Sequence, residues 1–176
     1  MSPSTPVAPD LGNRQAPRGT NALVKISAGV DYGLRVLCTL AVAERTMTAR
    51  ELAVTQDLPF KFLESTLNDL RRGEILTSSR GLGGGYRLAR PADEISLYDV
   101  MEALVGTLAE VRGQLPETTA YEGAAVNLQD VWIVLRSTLQ SALELVTIRD
   151  VVSGELDSLA SLGTGLEDCG AIERFR

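Results

Sequence analysis

The 176-residue chain contains no histidine, and so lacks the side chain most often used as general base and metal ligand near neutral pH. No nucleophile motif and no pair of carboxylates that can be placed in one cleft takes its place, so the chain does not read as an enzyme. Cysteine is scarce: Cys38 and Cys169 stand far apart and without metal-ligand spacing. They imply no disulfide framework, no metal and no cofactor, and a cytoplasmic setting is expected. Aromatic residues make up 5% of the chain against 44% hydrophobic residues in all, which suits a helical protein built on Leu, Val and Ala. No run of about eighteen apolar residues occurs, so no segment is expected to span a membrane. The first 24 residues are rich in Pro, Ser, Gly and Thr and lack the apolar stretch of a secretory signal. They read as a disordered extension.

Net positive charge is also lacking, since the total is −6, yet its distribution is uneven. Residues 25–90 carry ten basic and seven acidic side chains, whereas residues 91–176 carry five basic and fifteen acidic ones. Phosphate contacts depend on local charge. The segment 25–90 can therefore meet nucleic acid while the acidic half faces away.

That electropositive segment ends in a glycine-rich pattern. Two β-patterned runs, Ile75–Ser79 and Gly85–Ala89, flank a turn with Arg80 before its tip and Arg87 and Arg90 after it, a hairpin signature. A phosphate-binding loop is the other reading of such glycines. Against it, Tyr86 stands where the dinucleotide fingerprint needs glycine, no Lys follows as a Walker loop requires, and strands lie on both sides.

Three capping boxes, Thr48–Glu51, Ser96–Asp99 and Thr147–Asp150, mark helix starts. The first helix is expected over Ser27–Glu44 with Val30, Leu34, Leu37, Cys38 and Ala41 on its apolar face. A second starts after Thr48, a third runs from Pro59 to Arg72, and a fourth from Ser96 to about Val105. Residues 106–126 show no period and read as a connection. A last helix of roughly 30 Å runs from Asn127 to Val146.

The third helix divides by angle, with Leu63, Leu67 and Leu70 on one side and Lys61, Ser65, Asn68 and Arg72 on the other. Following a helix and a turn and preceding a hairpin, this arrangement reads as a winged helix–turn–helix whose third helix enters the major groove. Lys61, Glu64 and Ser65, near its N-terminus, are the expected base readers. Lys can donate to guanine O6 and N7, and a carboxylate can accept from cytosine N4. Asn68 and Arg72 are placed to reach phosphates. At the wing, Arg80 is the expected contact, and Gly81, Gly83, Gly84 and Gly85 let the turn approach the DNA backbone. In the last helix Leu128, Trp132, Leu135, Leu139, Ala142 and Val146 form a heptad seam, widened by Val131, Val134, Leu143 and Leu145. The short winged domain offers such a helix little to bury against, so a symmetric partner helix is expected.

From Lys25 to about Val152 the chain resembles the Rrf2 family of winged-helix transcription regulators, the IscR, NsrR and CymR type. The resemblance is carried by Lys25-Ile26-Ser27, Tyr32 through Leu37, Phe62-Leu63-Glu64, Leu70-Arg71-Arg72-Gly73 and, above all, Arg80-Gly81-Leu82-Gly83-Gly84-Gly85-Tyr86-Arg87-Leu88. It implies a homodimer on a pseudo-palindromic operator in double-stranded DNA, with the third helix in the major groove and Arg80 in the minor groove, where a narrow groove attracts arginine. It also implies a start near Val24, because family members begin close to the equivalent of Lys25. Two departures stand out. Leu82 replaces a proline usual at the wing tip, and residues 106–126 hold none of the three cysteines with which well-known members bind an iron–sulfur cluster.

The expected fold is therefore mainly α with a small β-hairpin wing, a winged helix–turn–helix domain plus a long dimerisation helix. Its expected organisation is a disordered extension (1–24), a DNA-binding domain (25–106), a connecting loop open to an effector (107–126), a dimerisation helix (127–152) and a C-terminal tail (153–176). The expected function is that of a cytoplasmic homodimeric repressor without an iron–sulfur cluster, answering to a small molecule or a protein partner. Two alternatives are a redox or atypical iron–sulfur sensor and a winged-helix module that binds protein instead of DNA.

Overall fold

The computed structural model describes residues 26–81 and 83–157; the N-terminal extension, Leu82, Cys169 and most of the C-terminal tail lie outside them. Helix α1 (Ala28–Ala43) starts where the Ser27 hydroxyl accepts the Val30 N–H at 3.3 Å, and it ends at left-handed Glu44, φ 50°. Its buried face is Val30, Gly33, Val36, Leu37 and Leu40. Leu34, Cys38 and Ala41, expected at its centre, are half-buried at the core's edge. The face is rotated because α1 packs on several elements at once, with α2 (Ala49–Gln56), α3 (Phe60–Arg72), α4 (Leu97–Val105) and α6 (Ile148–Ser153) all touching it.

The Thr48 capping box is complete. The Glu51 carboxylate accepts the Thr48 N–H at 2.7 Å and the Thr48 hydroxyl accepts the Glu51 N–H at 3.2 Å. Helix α2 ends at left-handed Asp57, and Pro59 then fixes the extended conformation that opens α3. The angle between α1 and α2 is held by polar contacts. Arg35 donates Nε–H to Gln56 Oε1 at 3.1 Å, and the Gln56 amide donates to the Thr39 hydroxyl at 2.7 Å. Helix α3 buries Leu63, Leu67 and Leu70 completely, each contributing about 1.5–3 kcal/mol relative to an exposed side chain.

After Gly73 the chain enters β1 (Leu76–Ser79) and returns in β2 (Gly85–Leu88), antiparallel, with Leu76 opposite Leu88 and Ser79 opposite Gly85. The sequence pattern did not suggest a third partner. Met47 and Tyr86 exchange backbone hydrogen bonds of 3.0 and 2.7 Å, which fasten the hairpin to the link between α1 and α2.

Helix α5 (Leu128–Glu144) is the long helix, and it is shorter than the expected Asn127–Val146. Residues 127–152 are not one helix. The backbone turns extended at Thr147, whose capping box with Asp150 starts the separate α6. Ser96 and Thr147, both N-cap residues, pair across an isolated β-bridge in which Leu97 N–H donates to Val146 O at 2.8 Å and Ile148 N–H to Ile95 O at 2.9 Å. This stitch carries Ile148 into the core formed by α1, α3 and the hairpin, where it is fully buried. Among the described residues no helix is long and apolar enough to cross a membrane.

Candidate nucleic-acid interface

Helix α3 is placed so that its polar residues face outward beside the wing. Lys61, Glu64, Ser65 and Arg72 are exposed, and Asn68 is half-buried. Ser65 already donates its hydroxyl to Phe62 O at 2.8 Å, which leaves its lone pairs as acceptors. Arg72 lies 3.2 Å from Asp69 in an exposed pair of the kind worth at most about 1 kcal/mol. Lys61 and Arg80 make no ion pair among the described residues. Both are therefore free to meet an anion.

The four wing glycines do different work. Gly81 (φ 94°) and Gly83 (φ 78°) form the exposed tip, closed by the Gly84 N–H donating to Gly81 O at 2.9 Å. Gly84 and Gly85 lie inward. A Cβ on Gly84 would fall 2.5 Å from Ser79 O, and one on Gly85 2.4 Å from Met47 O. Behind the tip, Arg87 donates Nε–H to Thr77 Oγ1 across the strands at 3.2 Å.

Phe60 and Phe62 escaped the helical-face reading. Both are exposed near the start of α3, and Phe62 stands edge-on to Tyr32 with ring centroids 5.4 Å apart. Two aromatics two positions apart lie about 200° apart around the helix and cannot both enter the core, which was the available signal.

On α5 the expected seam divides. Trp132 and Leu139 are half-buried, Trp132 donating Nε1–H to Tyr121 Oη at 3.1 Å, and Leu128 and Ala142 are also half-buried. Val146 lies beyond the helix, fully buried within its own chain, where its carbonyl accepts the Leu97 N–H beside the Ser96–Thr147 bridge. The apolar side chains left uncovered are Val131 (54% exposed), Val134 (61%), Leu135 (44%) and Leu145 (46%). This stripe is displaced by roughly 70° from the predicted seam, because the connection 106–126 covers the Trp132 side.

That connection is folded. Single 3₁₀ turns at Pro116–Thr118 and Gly123–Ala125 lie along it, Arg136 of α5 pairs with Glu117, and the Arg112 guanidinium sits 5.7 Å from the centre of the Tyr121 ring. Between it and α5 opens a mainly apolar cleft of about 320 Å³, lined in part by Val111, Pro116, Trp132 and Leu135. The connection has no cysteine, the chain has no histidine, and among the described residues no three His, Cys, Asp or Glu side chains converge on one point. Cys38 lies on α1, where burial pushes its thiol pKa up, opposite to what a thiolate ligand needs.

Residues 26–154 match the Rrf2 family, described as iron-dependent transcriptional regulator. Rv1287 of Mycobacterium tuberculosis, an HTH-type transcriptional regulator by name, is 40% identical over 139 residues, covering 76% of this chain and 84% of that one. CymR of Bacillus subtilis, described as its global cysteine regulator, has a solved structure that matches with a TM-score of 0.60 at 29% identity, over 74% of this chain and 98% of that one. The structure of T. potens IscR matches with a TM-score of 0.58 at 25% identity, over 74% and 87%. The helical body with its two-stranded wing is thus the winged-helix fold of these regulators, and the chain belongs to the Rrf2 family, whose members are transcriptional regulators and not enzymes.

Proposed function

We propose that the chain is a homodimeric, sequence-specific DNA-binding repressor that works in the cytoplasm on a pseudo-palindromic operator. The observation that carries this reading is that two exposed cations, Lys61 on α3 and Arg80 on the wing, have no ion-pair partner among the described residues and stand in the electropositive part of an acidic chain. Lys61, Glu64 and Ser65 enter the major groove and read base edges, and Phe60 meets a thymine methyl beside them. Arg72 and Asn68 reach phosphates. Arg80 enters the minor groove, with Gly81 and Gly83 shaping the tip and Gly84 and Gly85 holding its base. The α5 stripe pairs with a second copy and sets the half-sites about 34–36 Å apart.

Among the described residues the iron in the family's description finds no donor set, and the regulator is read as cluster-free. Its signal is a small molecule or a protein partner acting on residues 106–126, where the cleft beneath Trp132 supplies a site. Anisotropy titrations of the purified dimer against promoter fragments, its own included, test the reading. Selective binding should weaken steeply with salt, and Arg80→Ala and Lys61→Ala should each cost about 1–3 kcal/mol. Binding that ignores sequence and salt, or survives both substitutions unchanged, refutes DNA recognition by this face.

A further inference from the structure

A second cleft, of about 360 Å³, lies at the root of the wing, between the end of α1, β2, the turn that follows it, and α6. Four arginines from three separate stretches line it, Arg45, Arg87 with Arg90, and Arg149, against a single carboxylate, Glu44. Such convergence is unexpected in a chain with 23 acidic and 17 basic residues, and Arg149 belongs to the half with fifteen acids and only five bases.

The four are not equally engaged. Arg45 faces Glu51 at 3.2 Å across exposed surface. Arg90 is held in place by the Asp99 carboxylate and by Glu94 O, which accepts its Nε–H at 2.8 Å. Among the described residues the hydrogen bond of the Arg87 side chain goes to the neutral Thr77 hydroxyl. Arg149 makes no hydrogen bond or ion pair among the described residues, and the neighbouring Asp150 carboxylate is engaged by the Thr147 N–H and hydroxyl, each at 2.8 Å. Arg87 and Arg149 thus reach the cleft without a salt-bridge partner among the described residues, although the charge of Arg149 also acts on Asp150 beside it. Between them the wall is apolar, formed by Leu40, Leu88, Pro91 and Ala92.

We propose that this cleft binds a small organic phosphate, distinct from any effector in the cleft beneath Trp132. Guanidinium forks match phosphate oxygens in geometry and charge, the apolar wall takes the organic body, and the volume lies in the lower range of small-molecule sites, about 300–1,000 Å³. Arg87 stands on the wing and Arg149 on the helix that follows α5. A phosphate held by both ties the wing root to the element next to the long helix, which couples occupancy to the wing's placement on DNA.

The test is calorimetric titration of the full chain with pyrophosphate at fixed ionic strength, sodium chloride serving as the control anion. Saturable binding of one pyrophosphate per chain is expected. Arg149→Ala should weaken it at least tenfold, as expected for one charge-assisted hydrogen bond, and Arg149→Glu should abolish it, with far-UV circular dichroism unchanged in both. No saturable binding, or equal binding by the parent and both variants, overturns the proposal. If the arginines serve DNA phosphates instead, Arg149→Ala will lower the slope of log affinity against log salt by about one while pyrophosphate fails to saturate. That result also overturns it.

Discussion

Gly85 carries a larger structural load than its position in a glycine run suggests. Its φ of 153° is one that side chains other than glycine's rarely adopt, and the space a Cβ needs is taken by the Met47 carbonyl. Alanine there must push the hairpin off the link between α1 and α2, breaking the Met47–Tyr86 exchange of hydrogen bonds. Gly85→Ala should therefore destabilise the fold by about 1–3 kcal/mol, read as a shift in urea midpoint. An unchanged midpoint would remove the Met47 contact as the reason for glycine. Residues 80–85 announce a hairpin in the sequence because turn chemistry is local. That Gly85 faces Met47 was not legible, since contact between positions 47 and 85 is created by packing alone. Lys61 and Ser65 follow from helical periodicity and Glu64 from its place near the helix start, whereas the exposed aromatics Phe60 and Phe62 do not fit a two-faced pattern.

At the scale of elements, the local signals proved the most readable. All three capping boxes form with both of their hydrogen bonds, because a cap is settled within four residues. What they enclose was harder to read. The apolar period of α1 does not say which of its crowded sides lies deepest, and the heptad on α5 does not reveal that a connection without periodicity covers the Trp132 flank. The caps have a measurable consequence. In Asp150 the Thr147 N–H first, and its hydroxyl second, hold the carboxyl below the usual carboxylate range; Glu51 is lowered in the same way by Thr48. A carboxyl with a depressed folded pKa adds stability above its unfolded pKa, roughly pH 4, and loses it as pH falls through the lower folded value. Thr147→Ala should cost about 1 kcal/mol near neutral pH, and Asp150→Asn should flatten the acid limb of the stability curve measured by denaturant titration. An acid limb identical to the parent's in Asp150→Asn would show that this cap does not contribute to it.

For the whole molecule, the question is what covers the outer side of α5. The connection and α4 occupy its Trp132 side, α6 leaves it to pack on α1, and Val131, Val134 and Leu135 stay in water. The chain buries Ile148, drawn from beyond α5, in its core, yet it leaves this stripe open where a symmetric partner helix fits. Val134 is 61% exposed, so a charge there costs the single protomer almost nothing. Buried in a helix pair, the same charge would lie unpaired near its twin, at a cost of several kcal/mol. Val134→Glu should thus yield a folded monomer, with the parent's circular dichroism and half its mass by light scattering. It should also lose operator affinity by two orders of magnitude or more, because two half-sites no longer bind as one linked unit. A Val134→Glu protein that remains dimeric would move the interface off this stripe, and a parent that is monomeric at micromolar concentration would remove the dimer altogether.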